Sequence, residues 1–143
     1  MLLLLDSARG VLRLNAEGTN LINGLDSESK KTEFINNLKN ELAKMIPINP
    51  DRLNFIKYQT DYSTTPQTSL LLFKILKPTD NDGIQVAQII DDLNTLIKNK
   101  LITGVSRNNY TRLIDETSGF TFTSKQEISI KKKFFLIGDF NTY

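Results

Sequence analysis

Hydrophobic positions in this chain switch between a period near two and a period near 3.6. Residues 11–14 read as a strand, and residues 15–24, rich in Asn and Gly with Leu21 and Ile22 near their end, read as a bulged extension of it or a loop. From Asp26 the period lengthens. Phe34, Leu38, Leu42 and Met45 recur at helical spacing, Ile35 and Ile46 widen the stripe, and Lys30, Glu33, Asn37 and Lys44 occupy the other face. Asp26 or Ser27 supplies an N-cap and Glu28 an acid for the first turn. Pro47 and Pro50 close the helix, since neither can donate a backbone hydrogen bond. Residues 53–60 alternate, with Leu53 and Phe55 on one side and Ile56 and Tyr58 on the other after a local slip. A polar turn holding Pro66 leads to a dense apolar run over residues 70–76, whose two apolar faces predict a central strand. The short link predicts an antiparallel hairpin. After a turn cluster at 79–83, Ile84, Val86, Ile89, Ile90, Leu93, Leu96 and Ile97 mark a second helix, with Lys98 and Lys100 near its C-terminal dipole. Residues 110–115 are the predicted last strand. Residues 127–130 and 134–137 suit a further strand pair or a loosely attached arm.

Two helices that each carry one apolar face need a sheet to cover. The order strand, helix, strand, strand, helix, strand predicts an α+β ferredoxin-like βαββαβ fold, a four-stranded antiparallel sheet with two helices on one face and a C-terminal extension. Residues 1–10 are then an N-terminal extension or fragment edge, 11–120 the domain, and 121–143 a tail, an added strand or an arm. The expected core is Phe34, Leu38, Leu42, Leu71, Phe73, Ile75, Ile89, Leu93 and Ile97.

Composition narrows the chemistry. The chain has 143 residues, 39% hydrophobic and 24% charged, which suits one globular domain. Its formal charge of +2, with acids and bases interspersed, argues against a dedicated nucleic-acid surface. It contains no His and no Cys, which removes Ser-His-Asp triads, thiolate sites and the usual zinc ligands. No apolar run approaches the ~20 residues of a transmembrane helix. Residues 1–5 look like the start of a signal-peptide core but meet Asp6 at once, and they read as an apolar first strand.

A family resemblance rests on particular residues. Phe34, Leu38, Leu42 and Ala43, then Ile48, Pro50, Arg52 and Leu53, follow the F-x-x-x-L-x-x-x-L-A and I-x-P-x-R-(I/L) patterns of SEA and SEA-like domains. Residues 68–72 sit where such domains have a G-S-V-V-V-type segment. Residues 89–93, Ile114-Asp115 and Gly119-Phe120 resemble the remainder, so the likeness spans about residues 11–120. It implies a secreted or cell-surface protein, of which this chain is a part. Autoproteolytic SEA domains cleave a strained Gly–Ser bond by attack of the Ser hydroxyl on the preceding carbonyl. The matching position is Thr68-Ser69, a vestigial cleavage site. Thr replaces the family's Gly there, and a β-branched residue resists strained backbone angles, so no self-cleavage is expected.

The remaining candidates are weighed individually. Asp80 and Asp82 before Gly83 lack calcium-loop spacing and read as caps, and Asp91 and Asp92 diverge by ~100° on a helix and read as a solvated face. No Gly-rich phosphate loop is present. Lys131, Lys132 and Lys133 before Phe134 and Phe135 form the sharpest charge feature and read as a solvated strand or tail. Asn109-Tyr110-Thr111 is an N-glycan acceptor if the chain enters a secretory pathway. Tyr58, Tyr62 and Tyr110 are candidates for an exposed patch or for rings sealing the core edge. The expected function is a non-enzymatic extracellular structural or interaction module with a protein or glycan partner, no nucleic acid, no cofactor and no metal. A chain complete as given would instead be cytoplasmic. The alternative is an intracellular ferredoxin-like nucleic-acid-binding domain, although residues 69–75 lack the aromatic run that stacks bases.

Overall fold

The computed structural model describes residues 7–79 and 83–122. The expectations for residues 1–6, for Asp80 and Asp82, and for the segment holding Lys131, Lys132 and Lys133 fall outside those residues. Strand β1 spans Ser7–Arg13, starting ahead of the expected Val11. Helix α1 is Ala16–Asn23, α2 Glu28–Met45, β2 Leu53–Asp61, β3 Thr68–Leu76, α3 Val86–Lys98 and β4 Phe120–Phe122. Short 3-10 turns occupy Pro50–Arg52, Gly104–Arg107 and Thr111–Leu113. The fold is α+β, with a four-stranded sheet in the order β2-β3-β1-β4, antiparallel at every junction.

Local chemistry explains the two long helices. Ser27 caps α2 by accepting from the Lys30 N–H, Glu28 and Lys44 complement the dipole, and Phe34, Ile35, Leu38, Leu42 and Ala43 are buried. Helix α3 buries Val86, Ile89, Leu93 and Ile97 on one stripe. Leu42 of α2 and Leu93 of α3 meet Leu12, Leu53, Phe73 and Phe120 from the strands around one apolar junction. Every residue expected in the core belongs to it.

The hairpin appears as expected. The slip read after Phe55 is a β-bulge, with Phe55 opposite Phe73 and Lys57, not Ile56, opposite Leu72; the extra residue returns Tyr58, opposite the buried Leu71, to the side of Leu53 and Phe55 and not to the other side as expected.

Two further expectations are corrected. Residues 15–24 hold helix α1, so three helices accompany the sheet instead of two. Asn15 caps α1 by accepting from the Gly18 N–H at 2.8 Å, and its amide donates to the Arg112 carbonyl at 3.1 Å. Gly18 brings α1 close to its neighbours: a Cβ there would stand 3.0 Å from Leu113 and 3.2 Å from Leu14. Packing, not propensity, stabilises this helix. The second correction concerns residues 110–115. They form a 3-10 turn with one isolated bridge, Leu14 to Ile114, and the fourth strand is Phe120–Phe122. The segment cannot lie flat as a strand because other groups claim its backbone. The Glu41 carboxylate accepts the N–H groups of Tyr110 and Thr111 at 2.9 and 2.8 Å. The Lys100 ammonium donates to the carbonyls of Arg112 and Ile114 at 2.6 and 2.9 Å.

Candidate functional site

Thr68 opens β3 opposite Asp61, in regular register at the hairpin end. Arg13 reaches across from β1. Its Nη1 donates to Thr68 Oγ1 at 2.6 Å and lies 2.9 Å from Asp61 Oδ2. Asp61 Oδ1 also accepts the Ser63 hydroxyl at 2.6 Å and the Ser63 N–H at 2.9 Å. The Ser63 hydroxyl, then its N–H, then Arg13 hold the Asp61 carboxyl at about 2, below its ordinary 3.8. Ser69 is 2% exposed. Its N–H donates to Thr19 Oγ1 at 3.0 Å, and its carbonyl accepts the Leu14 N–H at 2.9 Å. The Thr68–Ser69 peptide therefore lies inside an ordinary ladder. Among the described residues, positive φ occurs at Gly119 and not at Thr68.

A pH dependence follows from Asp61. Its folded value lies below the unfolded one, so its contribution is present above about 3.8 and is lost as pH falls toward 2. Wild type is expected to exceed Asp61→Asn in urea midpoint at about pH 6, and the gap should narrow by about pH 2.5. A gap independent of pH would mean that the ionised carboxylate contributes nothing.

The other singled-out residues are scattered. Asn109 is exposed on the turn between two 3-10 segments, while Thr111 of its sequon is buried and donates its hydroxyl to the Val105 carbonyl at 2.8 Å. The tyrosines form no shared patch through their contacts. The Tyr58 hydroxyl accepts from Lys31 at 2.9 Å and donates to Glu28 at 3.3 Å, at the start of α2. That bond to Tyr58 raises the Lys31 pKa above its ordinary value. Tyr110 meets Phe34 edge to face and accepts from Asn37, and Tyr62 is 75% exposed. Asp91 is exposed, while Asp92 accepts from Gln88 within α3. Among the described residues no group of three His, Cys, Asp or Glu side chains is placed to hold a metal ion. Arg52, expected only as a motif residue, is buried and donates Nε to the Leu76 carbonyl at 2.9 Å, tying the turn before β2 to the end of β3.

The sheet offers an organised surface on the side away from the core. Ser69, Leu71, Phe73 and Ile75 of β3 are buried, while Thr68, Leu70, Leu72, Lys74 and Leu76 are half-buried on the opposite face. Register sets these outward residues in rows. Gln59, Leu70 and Arg13 form one row; Lys57, Leu72, Val11 and Thr121 the next; Asn54, Lys74 and Arg9 the third. Arg9, Asn54, Lys57, Gln59 and Thr121 are exposed. A shallow depression lined by Val11, Arg13, Leu70, Ser118 and Thr121 lies on this side. An antiparallel sheet with one face on the core normally turns polar residues outward. Here the central strand turns out Leu70, Leu72 and Leu76.

Comparison with family models, with curated proteins and with solved structures finds no match for the chain. Among the described residues, no helix is long and apolar enough to cross a membrane.

Proposed function

We propose that this chain is a non-enzymatic interaction module on a ferredoxin-like βαββαβ frame, with α1 an addition between β1 and α2 and the outward sheet face as its contact surface. The strand order β2-β3-β1-β4, antiparallel throughout, supports the frame, because two split βαβ units interleave their strands in that order. The shared junction of Leu42 and Leu93 supports placing both long helices on one side. A SEA-like role in a secreted or surface protein, with Asn109 as the glycan acceptor, extends the same reading. Thr68 in a regular ladder supports an uncleaved chain. Intact mass after prolonged incubation should be that of the full chain, and a fragment beginning at Ser69 would overturn this part.

The outward aliphatic residues Leu70, Leu72 and Val11, from two adjacent rows, carry the proposal, since aliphatic side chains on a non-core face contribute little to folding and are available for docking. Neighbouring leucines on β3 test it. Leu71 is 0% exposed and Leu72 is half-buried on the other face. Leu71→Ala should cost about 2–5 kcal/mol. Leu72→Thr keeps strand propensity and should leave stability within about 1 kcal/mol of wild type in thermal unfolding. A loss for Leu72→Thr matching that of Leu71→Ala would make the face a second core and remove the contact surface.

A further inference from the structure

We infer that the turn at 99–103, which follows α3, seats this chain on an anionic lipid surface, a contact that does not involve the outward sheet face. Among the described residues, four large apolar side chains are exposed, and the two most exposed, Leu101 and Ile102 at 80% each, are neighbours on this turn. Single exposed apolar residues are ordinary, whereas two adjacent ones that stand clear of the fold form an apolar tip. The backbone that carries them is fixed. The Asn99 carbonyl accepts the N–H groups of Ile102 and Thr103, each at 3.0 Å, and Thr103 Oγ1 donates to the Leu96 carbonyl at 2.9 Å. The Lys100 ammonium ties the turn to the Arg112 and Ile114 carbonyls at 2.6 and 2.9 Å. Leu101 and Ile102 are thus presented in place, with no ordering left to be done on contact.

Charge names the occupant. Residues 98–114 contain Lys98, Lys100, Arg107 and Arg112 and no acid. Arg112 lies 2.7 Å from Glu17, and Lys100 lies 3.8 Å from Glu116. Lys98 and Arg107 are exposed, and neither has an ion-pair partner among the described residues. A bilayer surface takes both features together, aliphatic side chains at the boundary of headgroups and acyl chains and long cationic side chains among anionic headgroups. A protein partner fits less well. A stable protein interface buries about 1,200–2,000 Å² around a packed core, more than two side chains on a turn supply, whereas a fluid bilayer needs no matching pocket. A nucleic acid would engage the cations and leave Leu101 and Ile102 in water.

The chain contains no Trp, so Ile102→Trp places a single indole fluorophore on the turn. The whole chain carrying it is titrated with vesicles of about three parts phosphatidylcholine to one part phosphatidylserine, and with phosphatidylcholine alone. A blue shift of the emission is expected with the mixed vesicles, reversed as salt rises, and little shift with phosphatidylcholine. In sedimentation with the mixed vesicles, Leu101→Glu combined with Ile102→Glu should weaken binding of the otherwise unaltered chain about tenfold or more. Lys98→Glu combined with Arg107→Glu should do the same, and Lys98→Arg should retain binding. These positions are exposed, so every variant should keep the wild-type thermal midpoint. Absence of the blue shift overturns the inference. So does binding that survives Leu101→Glu with Ile102→Glu, which places the contact elsewhere in the chain, and so does equal binding to phosphatidylcholine alone. A concentration-dependent dimer abolished by the same pair of substitutions, without vesicle binding, would assign the turn to a second copy of the chain instead.

Discussion

Leu93→Ala is expected to lower stability by about 3–5 kcal/mol, within the range for leucine truncation in a tight core. Leu93 is 1% exposed and reaches from α3 into the junction with Leu12, Leu42, Leu53, Phe73 and Phe120. Four strands and helix α2 lose a shared neighbour at once, and the cavity has walls from all of them, so little collapse can fill it. Domains of this size are stable by roughly 5–15 kcal/mol, which makes this loss a large share of the total. The thermal midpoint should fall by roughly 10–20 °C. Leu101→Ala is the control. Leu101 is 80% exposed beyond the end of α3, and its truncation should change stability by less than about 0.5 kcal/mol. Equal midpoints for the two variants would show that the apolar stripe of α3 does not face the core.

What was legible in the sequence was periodic. The stripe Phe34, Leu38, Leu42 and the stripe Ile89, Leu93, Ile97 mark helices because a solvent-facing side and a core-facing side leave a repeating trace. The slip at Phe55 was legible for the same reason, as a break in alternation. What was not legible was set by distant groups. Helix α1 has a glycine in its interior and little helical propensity, and its burial against Leu113 depends on a turn far along the chain. Residues 110–115 have strand-like composition, yet Glu41 and Lys100 take up their backbone groups. The apolar character of both faces of residues 70–76 correctly indicated a central strand. It could not separate a face covered by helices from one lined with half-buried leucines. Thr68 and Ser69 were visible through a motif, whereas Arg13 and Asp61, which meet there, share no local pattern with them. The outward rows depend on register, and register follows from strand pairing that no local window contains.

The placement of β4 leads to the second large effect. Strand β4 is three residues long and pairs with β1 at Gly10, Val11 and Leu12. So short a strand needs other attachments. One is Asn94 of α3, whose Oδ1 accepts the Phe120 N–H at 2.9 Å. Another is the Phe120 ring, 3% exposed, which lies over Gly10. A Cβ on Gly10 would stand 2.2 Å from ring atoms Cε2 and Cζ, far inside contact distance. Two opposing effects decide the outcome of Gly10→Ala. Replacing glycine in a strand gains about 0.5–1 kcal/mol of backbone entropy. Displacing a wedged ring costs about 1–3 kcal/mol or more, and it also threatens the seat of β4. The clash should win, with a net loss of about 2 kcal/mol in urea unfolding. Gly10→Ala combined with Phe120→Leu provides the decisive comparison, because the smaller side chain makes room for the methyl group. The double variant should be more stable than the sum of the two single losses predicts, by about 1 kcal/mol. Strict additivity would mean that Gly10 and Phe120 do not touch, and the assignment of Phe120–Phe122 as the fourth strand beside β1 would fall with that contact.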